Sequence, residues 1–184
     1  MSGSVRADKI IVIDGHYDAP THLLDLGTGY RMIRQKGEDI GIRMLNAFLQ
    51  IFDLGYHRAV LIGSDSPDLP AELIEKAIIS LITEDIVLGR STDGGYYLIG
   101  FKKETCSAEY FSGISWSTPL VFQQTIKKIV ESKKSVSLLP DWIDIDDRGD
   151  LKLFYDETLK RADTSLHTMK YLTNSIKNKH IFFN

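Results

Sequence analysis

The sequence is poor in cysteine and has no excess of positive charge. Cys106 is the single cysteine among 184 residues, and one thiol can form neither a disulfide framework nor a multi-thiolate zinc site. The 22 lysines and arginines are outnumbered by 25 aspartates and glutamates, which gives a formal net charge of −3. Without a basic stripe, the chain is not expected to bind nucleic acid or an anionic membrane through its overall charge.

Long apolar runs are missing as well. No stretch approaches the roughly 20 consecutive apolar residues of a transmembrane helix. The opening residues MSGSVRADK lack the apolar core of a secretion signal. The sequence therefore predicts a cytoplasmic protein without a membrane span. Its 43% hydrophobic and 26% charged residues are typical of one globular domain with a full core.

Strand-like and helix-like apolar patterns alternate along the chain. Short β-branched runs predict strands, and apolar residues three and four apart predict helices. The predicted strands are 9–13, 30–35, 59–63, 85–89, 95–101 and 135–140. The predicted helices are 19–26, 40–53, 70–83, 118–132, 149–161 and 166–177. This alternation predicts an α/β fold, a three-layer sandwich with a mostly parallel sheet, whose ligands lie beyond the carboxyl ends of the strands.

A first acidic segment, GSDSPD at 63–68, follows a predicted buried strand. Gly63 lets the chain leave the sheet, and Asp65 then projects over its edge, where a carboxylate can hold Mg²⁺ or Mn²⁺. The same residue types also build turns, so a turn explains the segment equally well by itself. Asp68 is better explained as the N-cap of the following helix than as a ligand.

A second polar segment, DGGYY at 93–97, precedes a predicted strand. Gly94 and Gly95 permit close approach of a sugar or diphosphate to the backbone, and Asp93 can bind a sugar hydroxyl or act as a base. The alternative is a tight Asp-Gly turn that leads into the strand.

A third segment, DIDD at 144–147, carries paired acids. On an extended backbone, Asp144 and Asp146 lie on one face. Two like charges so close together are unfavourable unless a cation joins them, which makes the pair a candidate metal site. The alternative is a solvated acidic loop in which Asp147 caps the next helix.

The segment SWSTP at 115–119 lies before a predicted helix. Thr118 and Pro119 predict the N-cap and the first helical residue. Trp116 either stacks on a ligand ring or packs in the core or in a lid.

The order of these motifs is more specific than any one of them. GSDSPDLP, TDGGYYLIG, SWST and DIDDRGDL follow one another, and QKGEDIGIRM at 35–44 precedes them. In this order they closely resemble a family of bacterial and archaeal glycosyltransferase-like proteins in the nucleotide-diphospho-sugar transferase superfamily, which has the GT-A fold. Its relatives include molybdenum-cofactor and 2-phospholactate guanylyltransferases. The resemblance covers residues 9–151.

The resemblance implies a role for each motif. The implied ligands of an Mg²⁺ or Mn²⁺ ion at the diphosphate are Asp65, Asp144 and Asp146. The implied catalytic residues are Asp93 and Asp65. The implied substrate-binding and nucleotide-binding residues are Gln35, Gly37, Arg43, Gly94, Gly95 and Trp116. The leading hypothesis is thus a glycosyltransferase that uses a nucleotide-diphospho-sugar and an unidentified acceptor. The alternatives are a nucleotidyltransferase that forms an NDP-linked product and a non-catalytic binding or subunit protein.

The resemblance also implies that a strand and a phosphate-binding loop are missing from this sequence. Members of the family begin with one more strand and a phosphate loop of the type Pro-Gly-x-x-Lys-Thr-Arg-Leu, which this sequence lacks. The missing strand would lie between strands 9–13 and 59–63. Either the chain is a fragment, or it is a short form that fills the gap by subunit exchange in a homo-oligomer or with its tail, 178–184. Residues 1–163 are predicted to form the GT-A-like domain, and 164–184 a helix and tail packed on it or exchanged from it.

Overall fold

The computed structural model describes residues 7–13, 30–161 and 166–177. The strands in these ranges are β1 (Lys9–Ile13), β2 (Tyr30–Arg34), β3 (Arg58–Ile62), β4 (Ile86–Ser91), β5 (Tyr96–Lys102) and β6 (Val136–Trp142). The helices are α1 (Ile40–Asp53), α2 (Ala71–Thr83), α3 (Val121–Glu131), α4 (Arg148–Lys160) and α5 (His167–Lys177). Each predicted element in these ranges is present, with ends displaced by three residues or fewer. The predicted helix 19–26 and tail 178–184 lie outside the described residues.

The described strands form two sheets. One pairs β1 with β2 in parallel, and the other has the order β3-β5-β4-β6. In the larger sheet β4 and β6 are parallel, whereas β5 is antiparallel to both β3 and β4. Only residues 92–95 connect β4 to β5, and so short a connection cannot make the crossover that parallel neighbours need. The α/β class is confirmed, and the sheet is partly rather than mostly parallel.

Helices cover both faces of the larger sheet. On β4, Ile86 and Leu88 pack in one cluster with α1 and α3, whereas Val87 between them packs with α2. Successive strand residues point to opposite faces, so all three side chains are fully buried in different layers. This arrangement is the predicted three-layer sandwich. None of the described helices is long and apolar enough to cross a membrane.

The local sequence of helix α1 determines where the helix begins, where it ends and which face is buried. Asp39 is its N-cap, and the Asp39 carboxylate accepts a hydrogen bond from the Ile42 N–H at 2.8 Å. Met44, Phe48 and Phe52 recur every four residues and form its buried face against the sheet. Gly55, just past the helix, has a φ of +97°, which favours glycine and ends the helix.

The smaller sheet is tied to the larger one by side chains. The Tyr56 hydroxyl, just before β3, donates a hydrogen bond to the Asp8 carboxylate, just before β1, at 2.6 Å. Among the described residues, no strand pairs with the second edge of β1 or with the second edge of β3. The missing strand, and a homo-oligomer that fills its place, stay predictions.

Asp147 caps α4, as the sequence predicts. Its carboxylate accepts hydrogen bonds from the N–H groups of Gly149 (2.6 Å) and Asp150 (3.0 Å), and the Asp150 carboxylate accepts one from the Asp147 N–H in return. We expect Asp147→Ala to lower the free energy of unfolding by about 1 kcal/mol in urea denaturation, because these helical N–H groups lose their partner. Asp156→Ala is the control: this half-exposed residue further along α4 pairs with Lys152, and the substitution should change the free energy of unfolding by less than about 0.5 kcal/mol. Equal losses would contradict the capping role.

Candidate functional site

Three polar segments meet at one end of the larger sheet. Segment 63–68 follows β3, segment 92–95 follows β4, and segment 143–147 follows β6. Since β5 is antiparallel to both β3 and β4, those two strands run in the same direction, and β6 is parallel to β4. The carboxyl ends of all three strands therefore lie at the same edge, where α/β sheets bind ligands.

Hydrogen bonds join the first and third of these segments. The Ile145 N–H donates to the Asp65 carbonyl at 3.0 Å, and the Ser66 hydroxyl donates to the Ile143 carbonyl at 3.3 Å. These bonds hold the backbones of segments 63–68 and 143–147 side by side. Residues 77 and 80 positions apart in sequence are thus fixed as neighbours.

Asp68 has a different role from the predicted one. The N-cap of α2 is Pro70, and no side chain bonds to its first turn. The Asp68 carboxylate instead accepts a hydrogen bond from the Trp142 indole N–H at 3.1 Å and lies 3.5 Å from the Arg161 guanidinium. The predicted cap is wrong because tertiary partners hold this carboxylate away from the helix, and Asp68 adds a further link between segment 63–68 and β6.

Asp93, Asp144 and Asp146 come together at this edge. Each offers a carboxylate oxygen, and these oxygens all lie within 4.8 Å of one another. Opposite ligands of an ion that binds oxygen at 2.0–2.6 Å are about 4–5 Å apart, so the three carboxylates can close around one ion. In the described part of the chain, this is the one group of three acidic, histidine or cysteine side chains with such spacing.

The charges at this edge repel one another. Burial raises the pKa of Asp146 above its ordinary value, and the carboxylates of Asp144, Asp93, Asp65 and Asp150 raise that pKa further. Asp65 therefore belongs to the same electrostatic cluster. A divalent cation would offset this repulsion, which is consistent with the predicted metal site.

Asp146→Asn should therefore raise the melting temperature of the metal-free protein at pH 7. The substitution keeps the side-chain shape and removes one of the crowded charges. A raised pKa in the folded state means that ionisation destabilises the fold, so the gain should grow as pH rises above the ordinary aspartate value of 3.8 and disappear below it. Thermal unfolding in EDTA across this range is the measurement.

The control for this experiment is Asp141→Asn. Asp141 is an exposed carboxylate on β6, five residues before Asp146 and 3.7 Å from the Arg90 guanidinium, and the substitution makes the same change of charge. It should not raise the melting temperature. A loss of stability in Asp146→Asn, or an equal shift in both variants, would contradict the crowding of charge.

Asp65 lies beside the group of three. A Cβ at residue 63 would overlap the Asp65 Oδ1, so a side chain at that position would force this carboxylate to move. The Asp65 side chain is exposed and its backbone carbonyl is held by Ile145. The predicted metal role of Asp65 stays a prediction, and Asp93 is the third member of the group that the structure brings together.

The Asp93-Gly94-Gly95 turn is tightly built. The Asp93 carboxylate accepts a hydrogen bond from the Gly95 N–H at 2.8 Å. Gly94 has a φ of +97°, and a Cβ there would lie 2.6 Å from the Pro119 Cα. The Phe122 N–H also donates to the Gly94 carbonyl at 2.9 Å. Gly94 is thus closely approached by Pro119, and contact of Gly94 or Gly95 with a sugar or diphosphate stays a prediction.

Trp116 packs against the hydrophobic core. A Cβ on Gly41, at the start of α1, would lie 2.5 Å from the indole ring, and the Tyr96 ring meets that indole edge to face with centroids 6.4 Å apart. Trp116 is half-buried in this position. Segment 115–119 therefore contacts the start of α1 through Trp116 and the turn at Gly94 through Pro119. The predicted ligand contact of Trp116 stays a prediction.

Helix α3 begins later than the Thr118-Pro119 pair predicts. Its N-cap is Leu120, and its first residue is Val121. The Thr118 hydroxyl donates to the Ser115 carbonyl at 2.7 Å and accepts from the Leu120 N–H at 3.3 Å. Thr118 therefore stabilises the turn before the helix.

The remaining predicted nucleotide-binding residues lie together before and within α1. The Gln35 N–H continues the sheet by donating to the Ile13 carbonyl at 2.7 Å. The Arg43 Nε donates to the Gly37 carbonyl at 3.1 Å, across a backbone with a φ of +138° at Gly37. Contact of these three residues with a nucleotide stays a prediction.

Ser91 is a site residue that the sequence reasoning missed. It is fully buried at the end of β4, and its hydroxyl donates a hydrogen bond to the Asp144 carboxylate. The sequence feature that could have indicated it is a small polar residue at the end of a mainly apolar strand, directly before the Thr92-Asp93-Gly94-Gly95 segment.

Comparisons with known proteins identify the family and the fold of the chain. A family model described as "Uncharacterized protein conserved in bacteria (DUF2064)" matches residues 2–118, which include Asp65 and Asp93. A crystal structure of a "putative nucleotide-diphospho-sugar transferase" from Desulfovibrio desulfuricans G20 is similar, with a TM-score of 0.86 and 37% identity over 94% of this chain and 76% of that chain.

A more distant structure shares the fold alone. Rv0371c from Mycobacterium tuberculosis H37Rv is similar with a TM-score of 0.53 and 17% identity, over 81% of this chain and 76% of that chain. No functionally curated protein matches the sequence significantly. The family match and the 37% identity together show that the chain belongs to the bacterial family DUF2064 and has a nucleotide-diphospho-sugar transferase-like fold.

Proposed function

We propose that the chain is a glycosyltransferase that binds a nucleotide-diphospho-sugar together with Mg²⁺ or Mn²⁺ at the acidic edge of the sheet. The observation that carries this proposal is the meeting of Asp93, Asp144 and Asp146, whose carboxylate oxygens lie within 4.8 Å of one another. The similarity to a crystal structure described as a "putative nucleotide-diphospho-sugar transferase" supports the substrate class.

The donor set suits a divalent ion at a diphosphate. All the donors are carboxylate oxygens, which Mg²⁺ and Mn²⁺ prefer, and Asp93 and Asp146 are exposed to an incoming ligand. A diphosphate would be repelled by these acids unless a cation lay between them. When bound, the ion supplies positive charge that stabilises the diphosphate as it leaves.

The proposed reaction requires a base as well as a metal site. The bond between the sugar C1 and the diphosphate oxygen breaks with its electron pair on the diphosphate, and an acceptor oxygen forms a bond to C1. The acceptor proton must then pass to a base. Asp93, an exposed carboxylate whose Oδ1 is held by the Gly95 N–H, is the candidate for this role.

The two roles of Asp93 give different experimental results. If Asp93 is chiefly a base, Asp93→Asn should keep Mn²⁺ affinity within about twofold and lose turnover. If it is chiefly a ligand, both should fall. Isothermal titration calorimetry with Mn²⁺ beside a turnover assay separates these results.

The substrate proposal is tested by thermal shift against UDP-, GDP-, CDP- and ADP-sugars, each with Mn²⁺ and with EDTA. One nucleotide-sugar should raise the melting temperature with Mn²⁺ alone, since ligand binding to the folded state stabilises it. Release of nucleoside diphosphate from that sugar would support glycosyl transfer. Release of pyrophosphate from a nucleoside triphosphate would instead indicate a nucleotidyltransferase. No shift with any nucleotide would contradict the proposal and favour a non-catalytic protein.

A further inference from the structure

Ser91 is a buried polar side chain at the end of the mainly apolar strand β4. The four residues before Arg90 in β4 are buried, and Ser91 itself has no exposed surface. A buried hydroxyl without a partner is unfavourable, so its hydrogen bond is a strong determinant of local structure. That bond is donated by the Ser91 Oγ to the Asp144 Oδ1.

The backbone around Ser91 is held from two sides. The Ser91 N–H donates to the Gly95 carbonyl at 3.1 Å, and the Thr92 N–H donates to the Trp142 carbonyl at 3.1 Å. The pairing of β4 with β6 also shifts register between Gly89 and Ser91. Such irregularities re-aim a side chain, and here the Ser91 side chain is aimed at the segment after β6.

Ser91 lies at the junction of the two segments that carry the acids. Asp93 is two residues after Ser91 in the chain, and Asp144 is two residues after Trp142, the residue opposite Ser91 in the β-ladder. The Ser91 hydroxyl, at the end of β4, therefore reaches the Asp144 carboxylate, which lies near Asp93. Asp144 is also the half-buried member of the group, whereas Asp93 and Asp146 are exposed.

We propose that Ser91 is a positioning residue that holds the Asp144 carboxylate toward Asp93 and Asp146. The functional consequence rests on the proposed metal site, because Ser91 acts through Asp144 and supplies no ligand itself. Without the hydrogen bond, repulsion from the neighbouring acids would turn the Asp144 carboxylate away. Partners that orient a metal ligand typically affect metal affinity by 10–100-fold.

The test is Mn²⁺ titration calorimetry on Ser91 variants. Ser91→Ala should weaken Mn²⁺ binding by about 10–100-fold. Ser91→Cys keeps the approximate size with a poorer donor and should also weaken it, whereas Ser91→Thr keeps the hydroxyl and should restore affinity toward that of the native protein. If the alanine variant does not fold, the difference in Mn²⁺ affinity between Ser91→Cys and Ser91→Thr still tests the role of the hydroxyl.

Ser137→Ala is the matched control. Ser137 lies on the adjacent strand β6, and its hydroxyl bonds to the Ser80 hydroxyl at 3.1 Å, so the substitution removes an internal serine hydrogen bond without touching the acids. It should leave Mn²⁺ affinity within about twofold of native. Unchanged affinity in folded Ser91→Ala and Ser91→Cys, or an equal loss in Ser137→Ala, would overturn the positioning role.

A crystal structure of Ser91→Ala, or of Ser91→Cys, separates this inference from the proposed function. If the native protein binds no Mn²⁺, the metal site fails, yet a displaced Asp144 carboxylate in the variant would still support the positioning role. An Asp144 carboxylate in its native place would overturn the inference, even if the native protein binds Mn²⁺ tightly.

Discussion

Asp144→Asn is expected to weaken Mn²⁺ binding by more than about a hundredfold. Removing a residue that orients a metal ligand typically weakens metal binding 10–100-fold, and removing the charge of the ligand itself should weaken it more. Asp144 is the half-buried member of the group whose oxygens lie within 4.8 Å. The asparagine oxygen can still accept the Ser91 hydrogen bond, so the substitution removes charge with little change of shape. Titration calorimetry with Mn²⁺, with and without a nucleotide-sugar, measures the effect.

Asp141→Asn is the control for Asp144→Asn. It makes the same change of charge three residues earlier, at an exposed carboxylate that pairs with Arg90. Mn²⁺ affinity should stay within about twofold of native, because surface ion pairs contribute little. A similar loss in the two variants would show that overall charge, rather than a site at Asp144, governs Mn²⁺ binding.

Gly94→Ala is expected to have the largest effect on stability, about 3 kcal/mol or more, because it combines backbone strain with overlap of atoms. Residue 94 has a φ of +97°, and its new Cβ would lie 2.6 Å from the Pro119 Cα and 2.8 Å from the Pro119 carbonyl carbon. Backbone atoms cannot rotate away as a side chain can. The 115–119 segment must therefore shift, and the turn that carries Asp93 with it.

Gly55→Ala separates the contribution of backbone strain from that of atomic overlap. Gly55 has the same φ of +97°, but a Cβ there meets no atom within 4 Å. Its loss should be about 1–2 kcal/mol, from backbone strain alone. Urea unfolding of both variants is the measurement. Equal losses would contradict the packing of Pro119 on Gly94.

The elements of the fold were predictable because each is encoded locally. The four-residue spacing of Met44, Phe48 and Phe52 sets the face of α1, and Asp147 sets the start of α4 through its own carboxylate. The assembly of the acidic segments was predictable in outline, since ligands collect at the carboxyl ends of strands in α/β sheets.

The remaining features depend on contacts between distant residues. The sequence around Asp68 suits a helix cap, but Trp142 and Arg161 bind this carboxylate, and neither is near it in sequence. The partnership of Ser91 with Asp144 likewise joins positions 53 residues apart. The antiparallel direction of β5 follows from the four-residue connection between β4 and β5. This connection sets the direction only if β4 and β5 pair with each other, which the sequence does not reveal.

Anomalous diffraction from crystals grown with Mn²⁺ and a nucleotide-diphospho-sugar tests the metal site most directly. We expect one manganese peak among Asp93, Asp144 and Asp146, with carboxylate oxygens about 2.0–2.6 Å from it and the diphosphate on its open side. No peak at this edge under saturating Mn²⁺, or a peak bound only elsewhere on the protein, would contradict the proposal that these acids hold the ion.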